Sequence, residues 1–384
     1  MKITQVHTIL NSIATELLGE GAVVNEDLTN IIDLGNTFVN VAGVDNYVKS
    51  LNDHVGRMVF NDRVYKGRVP SVMMDGWEYG SILEKISPEL PDATENESWD
   101  LVNGQSYDPN VFYKPSVTVK CWNERVTFEI PVSITERQVK SSFQSATQLN
   151  AFFSMIYNAI QNAMTIRLDA LIMRTINNLV VETIFADYGV DLLPSKSGIK
   201  AVNLLYLYNT EFTLTLTAAE ARVDPDFLKY AAMTMSNYVS RLKVMSTLFN
   251  IGAKERFTPE DRLHVVMLNE FKTAADVYLQ AETFNKEMTA LPLAETVPYW
   301  QGSGVDYSFA STSAINVKSS GGHTVSVGGV LAVMFDREAL GVTNMNPRVT
   351  TQYNAKAEFW NEYHKVDAGY FNDSNENLVV FFAA

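Results

Sequence analysis

The chain has 384 residues, 46% of them apolar, enough for a sizeable core in one large domain or about two or three ordinary ones, which excludes global disorder. A formal charge of −14 and the absence of any Lys/Arg run exclude a chain whose main work is gripping nucleic-acid phosphates, since that takes clustered cations. The single cysteine, Cys121, excludes an internal disulfide and a cysteine-based zinc cage, and fits a reducing compartment.

Residues 1–60 predict three short helices joined by polar turns: Val6 to Leu18, Asp27 to Leu34 and Val44 to Val55. Each stops at a glycine (Gly19, Gly35, Gly56), the residue that takes the left-handed cap conformation without steric cost. Helices this short do not hold a core alone, so the segment is read as an arm that docks elsewhere. Its first residues, MKITQVHTIL, lack the continuous apolar run of a signal peptide, and the longest apolar run in the chain, Val330 to Phe335, is too short to cross a bilayer. The chain is therefore expected to stay in the cytoplasm after synthesis and to have no membrane partner.

Residues 61–131 change character. RMVFNDRVYKGRVPSVMM and PSVTVKCWNERVTFEIPVS have strand composition, with period-2 alternation through Val117, Val119, Cys121, Val126, Phe128 and Ile130. Between them lies SPELPDATENESWDLVNGQSYDPNVFYKP, rich in Pro, Asp, Asn and Glu. Two strand-like arms around a long polar tip predict an extended hairpin that reaches outward, because so long a loop is hard to place inside a compact domain. Cys121 is read as a buried or half-buried strand cysteine. The aromatics Trp77, Tyr79, Trp99, Tyr107, Phe112 and Tyr113 allow two readings: they cover their own hairpin, or they anchor on a neighbouring subunit, where aromatics are enriched.

From Val132 to Tyr188 there is no Gly and no Pro, and Leu149, Phe153, Ile156, Ile160, Met164, Leu168, Leu171, Ile172, Ile176 and Leu179 fall on one helical stripe. A single helix from Ser141 to Val181 would be roughly 60 Å long. Taken alone, the stretch fits a bundle or coiled-coil helix equally well. A strand hairpin precedes it and mixed elements follow it, so it is expected instead to act as a spine. Its Leu149, Phe153, Ile160, Leu168 and Ile172 face should pack on Val330–Phe335 and Leu378–Phe382.

After Gly189, LLYLYNTEFTLTLT alternates as a strand. A helix follows, with Asp224 as its N-cap and Pro225 at its first position. Leu263 to Leu268 reads as a strand, followed by a helix from about Glu270, so this section is α/β. A Gly/Ser-rich passage leads to closing strands at Val330–Phe335, within Arg348–Tyr363, and at Leu378–Phe382, whose VVFF must be paired and covered. The fold class is α+β.

No reaction emerges from the residues. His7, His54, His264, His323 and His364 show no metal-ligand spacing, and no nucleophile elbow or phosphate-binding glycine motif is present. The carboxylate pairs Asp224/Asp226 and Glu260/Asp261 stand at helix starts, where they complement the dipole, and Glu95/Glu97 belong to the polar tip. No catalytic residue, cofactor or metal site is assigned. An enzyme would need a site assembled from distant residues such as Asp336, His323 and Glu270.

The order of parts resembles the Hong Kong 97-like major capsid protein of tailed bacteriophages: short-helical arm, long two-stranded loop with an acidic tip, very long helix, α/β section, return strands. GVLAVMFDREALGV and TTQYNAKAEFWNEYHKVDAGYFNDSNENLVVFF are similar to that family's returning strands, while VDNYVKSLNDHVGRMVFNDRVYKGRVP and AFFSMIYNAIQNAM are closest in style to the capsid proteins of small short-tailed phages. The resemblance implies an N-terminal arm (1–60), an extended loop (61–131), a peripheral domain with the spine helix (132–195 and 336–384) and an axial domain (196–335). No immunoglobulin-like domain is expected after Ala384.

For function, the resemblance implies a subunit that self-assembles into hexamers and pentamers of an icosahedral or prolate head. Assembly would take place in the host cytoplasm with a scaffolding protein and a portal, and the double-stranded DNA genome would be held in the virion by confinement only. Some family members crosslink a loop lysine to a neighbour's asparagine. Lys66, Lys85 and Lys114 are loop lysines here, but no partner asparagine is assigned and no crosslink is expected. An encapsulin-type cargo shell and an enzyme with a dispersed site remain the alternatives.

Overall fold

The computed structural model describes residues 11, 14, 15, 68–74, 82–91, 93–135, 146–189, 196–282, 294–300, 315–318, 322 and 324–384. Within the expected arm, Asn11, Ala14 and Thr15 are helical, and Thr15 Oγ1 donates to the Asn11 carbonyl at 2.9 Å. The rest of the three arm helices lies outside the described residues, as do Trp77, Tyr79, Lys66 and His323.

The described chain opens with β1 (Met73–Met74), β2 (Leu83–Pro88), β3 (Val117–Trp122) and β4 (Arg125–Thr135), then the long helix α1 (Ala146–Tyr188). A mixed section follows: β5 (Ala201–Asn203), α2 (Leu204–Phe212), α3 (Ala218–Ala221), α4 (Pro225–Leu242), β6 (Leu263–Leu268), α5 (Asn269–Glu282), β7 (Glu295–Val297), β8 (Ile315–Lys318) and β9 (Thr324–Val327). It closes with β10 (Val330–Asp336), β11 (Leu340–Asn354), β12 (Phe359–Asn372) and β13 (Leu378–Phe382). One sheet has the order β1-β11-β12-β4 and another β5-β13-β10-β6-β7, while β2-β3 and β8-β9 are separate hairpins.

The long helix runs 43 residues, about 65 Å at the α-helical rise. The single-stripe pattern holds in its middle, where Tyr157, Ile160, Met164 and Leu168 are buried while Asn158, Asn162, Ile166 and Arg167 are exposed. From Leu171 to Ile184 only Arg174 is exposed, which corrects the one-face expectation. The reason is that α1 touches strands of both main sheets and the β8–β9 hairpin, and a helix covered on all sides must be apolar all round. Several of its buried polar groups are hydrogen-bonded. Thr175 and Thr183 donate to the carbonyls one turn back, and Asn177 Nδ2 donates to the Trp300 carbonyl at 2.9 Å.

Leu168 and Ile172 share one core with Val330–Phe335 and Leu378–Phe382, but the strands α1 touches most include β11 and β12 as well as β13. The side chains of Leu149 and Phe153 are outside the described set. Arg68 pins the segment that leads to β1 onto the helix through Asp169, by Nε to Oδ2 at 2.7 Å and backbone N–H to Oδ1 at 2.8 Å.

LLYLYNTEFTLTLT is helical at Leu204–Phe212, not a strand. Asn203 Oδ1 caps the first turn by accepting from the Tyr206 N–H at 3.2 Å, and Leu204, Leu205 and Tyr208 form a helical apolar face. Thr213, at φ 54°, stops the helix in a left-handed conformation. The strand here is the short buried β5, parallel to β13. Elsewhere the signals hold: Asp224 Oδ1 accepts from the N–H groups of Asp226 and Phe227 at 2.8 and 3.0 Å, with Pro225 in the first turn.

The stretch Arg348–Tyr363 belongs to two long antiparallel strands, β11 and β12, joined through Asn354–Phe359. Their register shifts between Met345 and Arg348, where Pro347 offers no N–H to the ladder. β13 is buried along its whole length between β5 and β10, so VVFF is covered.

Two isoleucines ten positions apart on α1 test this burial. Ile176 is 0% and Ile166 43% exposed. In denaturant unfolding of the free subunit, Ile176→Ala is expected to cost about 2–5 kcal/mol and Ile166→Ala under about 1 kcal/mol. Equal costs would contradict a helix enclosed on all sides.

Candidate functional site

The β2–β3 hairpin pairs Leu83 with Trp122, Lys85 with Lys120, Ser87 with Thr118, and, on the opposite face, Ile86 with Val119 and Pro88 with Val117. The half-buried face carries Leu83, Lys85, Ser87, Thr118, Lys120 and Trp122. The outward face carries Ile86 (62% exposed), Val117 (57%) and Val119 (49%). Polarity is thus inverted: charge points at the body and the apolar row points away from it. Cys121 shares the outward face and is exposed, which corrects the buried or half-buried expectation. The alternation is as expected, but the inward side is held by ion pairs at Lys85 and Lys120 as well as by the apolar contact of Trp122.

Lys85 and Lys120 stand directly opposite each other, an arrangement that repels unless an anion intervenes. Asp373, 2% exposed, supplies it: Oδ2 accepts from Lys85 Nζ at 3.0 Å and Oδ1 from Lys120 Nζ at 2.7 Å. Asp373 and Glu376 come from the turn between β12 and β13. Glu376 Oε1 accepts from Lys85 Nζ at 2.6 Å and from Arg256 Nε at 3.3 Å, while Glu338, before β11, pairs with Lys85 at 3.4 Å and with Arg262. Farther out, Lys254 Nζ reaches Glu89 at 2.7 Å.

The charges tune one another. Burial pushes the Asp373 carboxyl up, but the Lys120 hydrogen bond, the Asn375 N–H and Lys85 outweigh it and hold it below the usual carboxylate range. Glu338 is likewise held down, with burial opposing and Lys85 and Arg262 prevailing. Burial draws Lys85 down, yet Glu376 and Asp373 leave it raised. Lys254, Ser116 and Thr118 hold the exposed Glu89 at about 2.

At the tip, Trp99 is 94%, Phe112 84% and Tyr113 82% exposed, and the Tyr107 hydroxyl accepts from the Val102 N–H at 3.1 Å. These aromatics do not build a core for their own hairpin. Trp77 and Tyr79 lie outside the described residues, so the structure describes four of the six.

Of the dispersed-site alternative, His323 lies outside the described residues, and the other two have structural partners. Glu270 is exposed and pairs with Arg222, and buried Asp336 caps its own turn by accepting from the Glu338 N–H at 2.9 Å. Among the described residues no group of three or more His, Cys, Asp or Glu could hold a metal. Half-buried His264 stacks on Phe335 at 5.5 Å, and burial pulls its pKa below the ordinary value. The pair Glu362 and His364, buried side by side on β12 with Nε2 and Oε2 3.3 Å apart, was not singled out from sequence. Nor was the Lys85–Asp373 network, whose only local signal is the polar turn DSNEN at 373–377.

The family model for the Phi29-like phage major capsid protein matches residues 10–382. Among solved structures, a chain of "Structure of head fiber and inner core protein gp22 of native bacteriophage P68" aligns at TM-score 0.51 and 8% identity, covering 84% of this chain and 86% of that one. A chain of the capsid of Staphylococcus phage Andhra aligns at TM-score 0.48 and 9% identity, covering 84% and 86%, and one of the capsid of Ralstonia phage GP4 at 0.44 and 11%, covering 84% and 93%. No curated protein matches the sequence.

The network makes stability depend on pH with a definite sign. Asp373 and Glu338 are depressed when folded, so their contribution is complete above the unfolded value of about 4 and is lost as pH falls through the folded values. Lys85 is raised, so its contribution is complete below about 10.4 and is lost as pH rises through the folded value. At neutral pH, Asp373→Asn is expected to cost about 3 kcal/mol, the low end for removing one partner of a buried pair because Lys120 is partly solvated. Unfolding curves of the free subunit across pH should show this loss and a flatter acid limb in the variant; identical acid limbs would refute the assignment.

Proposed function

Because the chain belongs to the Phi29-like phage major capsid protein family, we propose that its outward hairpin face and exposed tip are the surfaces by which each subunit covers a neighbour in the head shell. The chain is a phage major capsid protein, a structural subunit that assembles with copies of itself into a capsid. In this reading the copies form hexamers and pentamers, and the closed shell confines double-stranded DNA without gripping it, in keeping with a net charge of −14. A scaffolding protein and a portal take part during assembly in the host cytoplasm. The chain divides into arm (1–60), extended loop (61–131), peripheral domain (132–195 and 336–384) and axial domain (196–335). No observation favours an encapsulin-type shell or an enzyme.

The inverted polarity of β2–β3 carries this reading. A two-stranded hairpin that exposes Ile86, Val117 and Val119 and, beyond them, Trp99, Phe112 and Tyr113 is a poor solution for a monomer and a good one for an interface. The aromatics supply anchors, Trp99, Tyr107, Phe112 and Tyr113 here and Trp77 and Tyr79 by sequence, within an interface of at least about 1,000 Å².

Replacing Ile86, Val117 and Val119 together by serine should leave the circular dichroism of the subunit unchanged while abolishing closed shells in electron micrographs. Deleting Pro88 to Pro109 should do the same. Normal shells from both variants would overturn the role of the hairpin.

A further inference from the structure

The attachment of the hairpin changes character along its length. At its root the contact is apolar: Trp122 meets Phe371 with ring centroids 5.3 Å apart, and Gly341 leaves the room, since a Cβ there would collide with Met74 Sδ and Phe371. One inward rung farther out the contact is mainly ionic, Lys85 and Lys120 on Asp373 and Glu376. Beyond that, the exposed Glu89–Lys254 pair joins the hairpin to the body. An open cleft of about 670 Å³ runs between hairpin and body, from Leu83 and Phe371 at the root past Lys85 and Glu376 to Leu90, Met245 and Phe257.

Breaking a buried ion pair is ordinarily expensive because one charge is left bare. Here the body keeps substitutes in place. Without Lys85, Glu376 still has Arg256 and Glu338 still has Arg262, and Asp373 still accepts the Asn375 N–H at 3.0 Å. The two lysines, on long flexible stems, would carry their charge into water. On the body side, Glu376 and Glu338 therefore keep a cation, and Asp373 keeps one N–H donor, when the hairpin is undocked.

We propose that the charged rung is a releasable latch and that the β2–β3 hairpin is a lever, docked on Asp373 and Glu376 or swung free as a unit about Trp122–Phe371. This rests on the hairpin being an assembly element but concerns the free subunit, so it can fail while the neighbour contact stands, and the reverse.

The test measures a distance in the free subunit, before any shell forms. Spin labels on Cys121 and on a cysteine introduced by Glu255→Cys, both exposed positions, report the hairpin against the body by pulsed electron paramagnetic resonance. The otherwise native chain should give one main distance. Lys85→Met/Lys120→Met should add a second, longer population holding half of the molecules or more. Adding Asp373→Asn, which leaves no unpaired carboxylate at the rung, should keep that population and secures the result if the double variant folds poorly. Restoring the lysines one at a time should restore the docked distance in steps. A single unchanged distance in both variants, with native circular dichroism, would overturn the latch.

Discussion

The rest of the fold depends on α1 being wrapped by apolar surface along its carboxyl-terminal half. Leu171 to Ile184 leave only Arg174 exposed, and strands from both main sheets meet there, so a single helix holds together elements drawn from opposite ends of the chain. Polar groups in this stretch also tie it to distant segments. Asn177 holds the Trp300 carbonyl, the Trp300 indole N–H donates to the Val330 carbonyl at 2.8 Å, and Asn372 Nδ2 donates to the Thr175 carbonyl at 3.2 Å. Each of these bonds ties the helix to a segment more than a hundred residues away, directly or through one tryptophan.

With the core fixed there, the hairpin is free to be built by different rules. A strand pair inside a domain turns its apolar face inward, because burial of that face is what holds it. Here two lysines face inward and an acidic turn holds them, leaving isoleucine and valine in water. That arrangement costs free energy in a lone subunit, and under the proposed role copies of the chain that cover the face would recover it. A capsid subunit has to be soluble before assembly and adhesive during it, and charge inward with apolar residues outward serves both needs provided the apolar row stays small and its neighbourhood acidic.

Local chemistry made much of the fold legible. The Gly- and Pro-free run signalled α1, Asp224–Pro225 signalled α4, and Leu263–Leu268, Val330–Phe335 and Leu378–Phe382 read as strands because they are short apolar runs bounded by polar turns. The misreadings have physical causes. At Leu204–Phe212 the alternation of Leu, Tyr and polar residues fits a strand as well as a helix, and the cap at Asn203 decided it. Around Cys121 a period of two marks that faces differ, not which one is inward; that choice was made by Asp373, about 250 residues away, through contacts that no local pattern encodes. The exposed aromatics were identifiable as residues, whereas the exposure of Trp99, Phe112 and Tyr113 became visible only with the hairpin's geometry in hand.

Cys121 offers the most direct test of the central claim, that the outward face of the hairpin is covered by another copy in the shell. It is the only cysteine in the chain and lies on the same strand face as Val117 and Val119. The rate of thiol modification by a small maleimide should be compared in free subunits and in assembled shells. The account predicts rapid, complete labelling of subunits and strong protection in shells. Equal rates in the two states would contradict it.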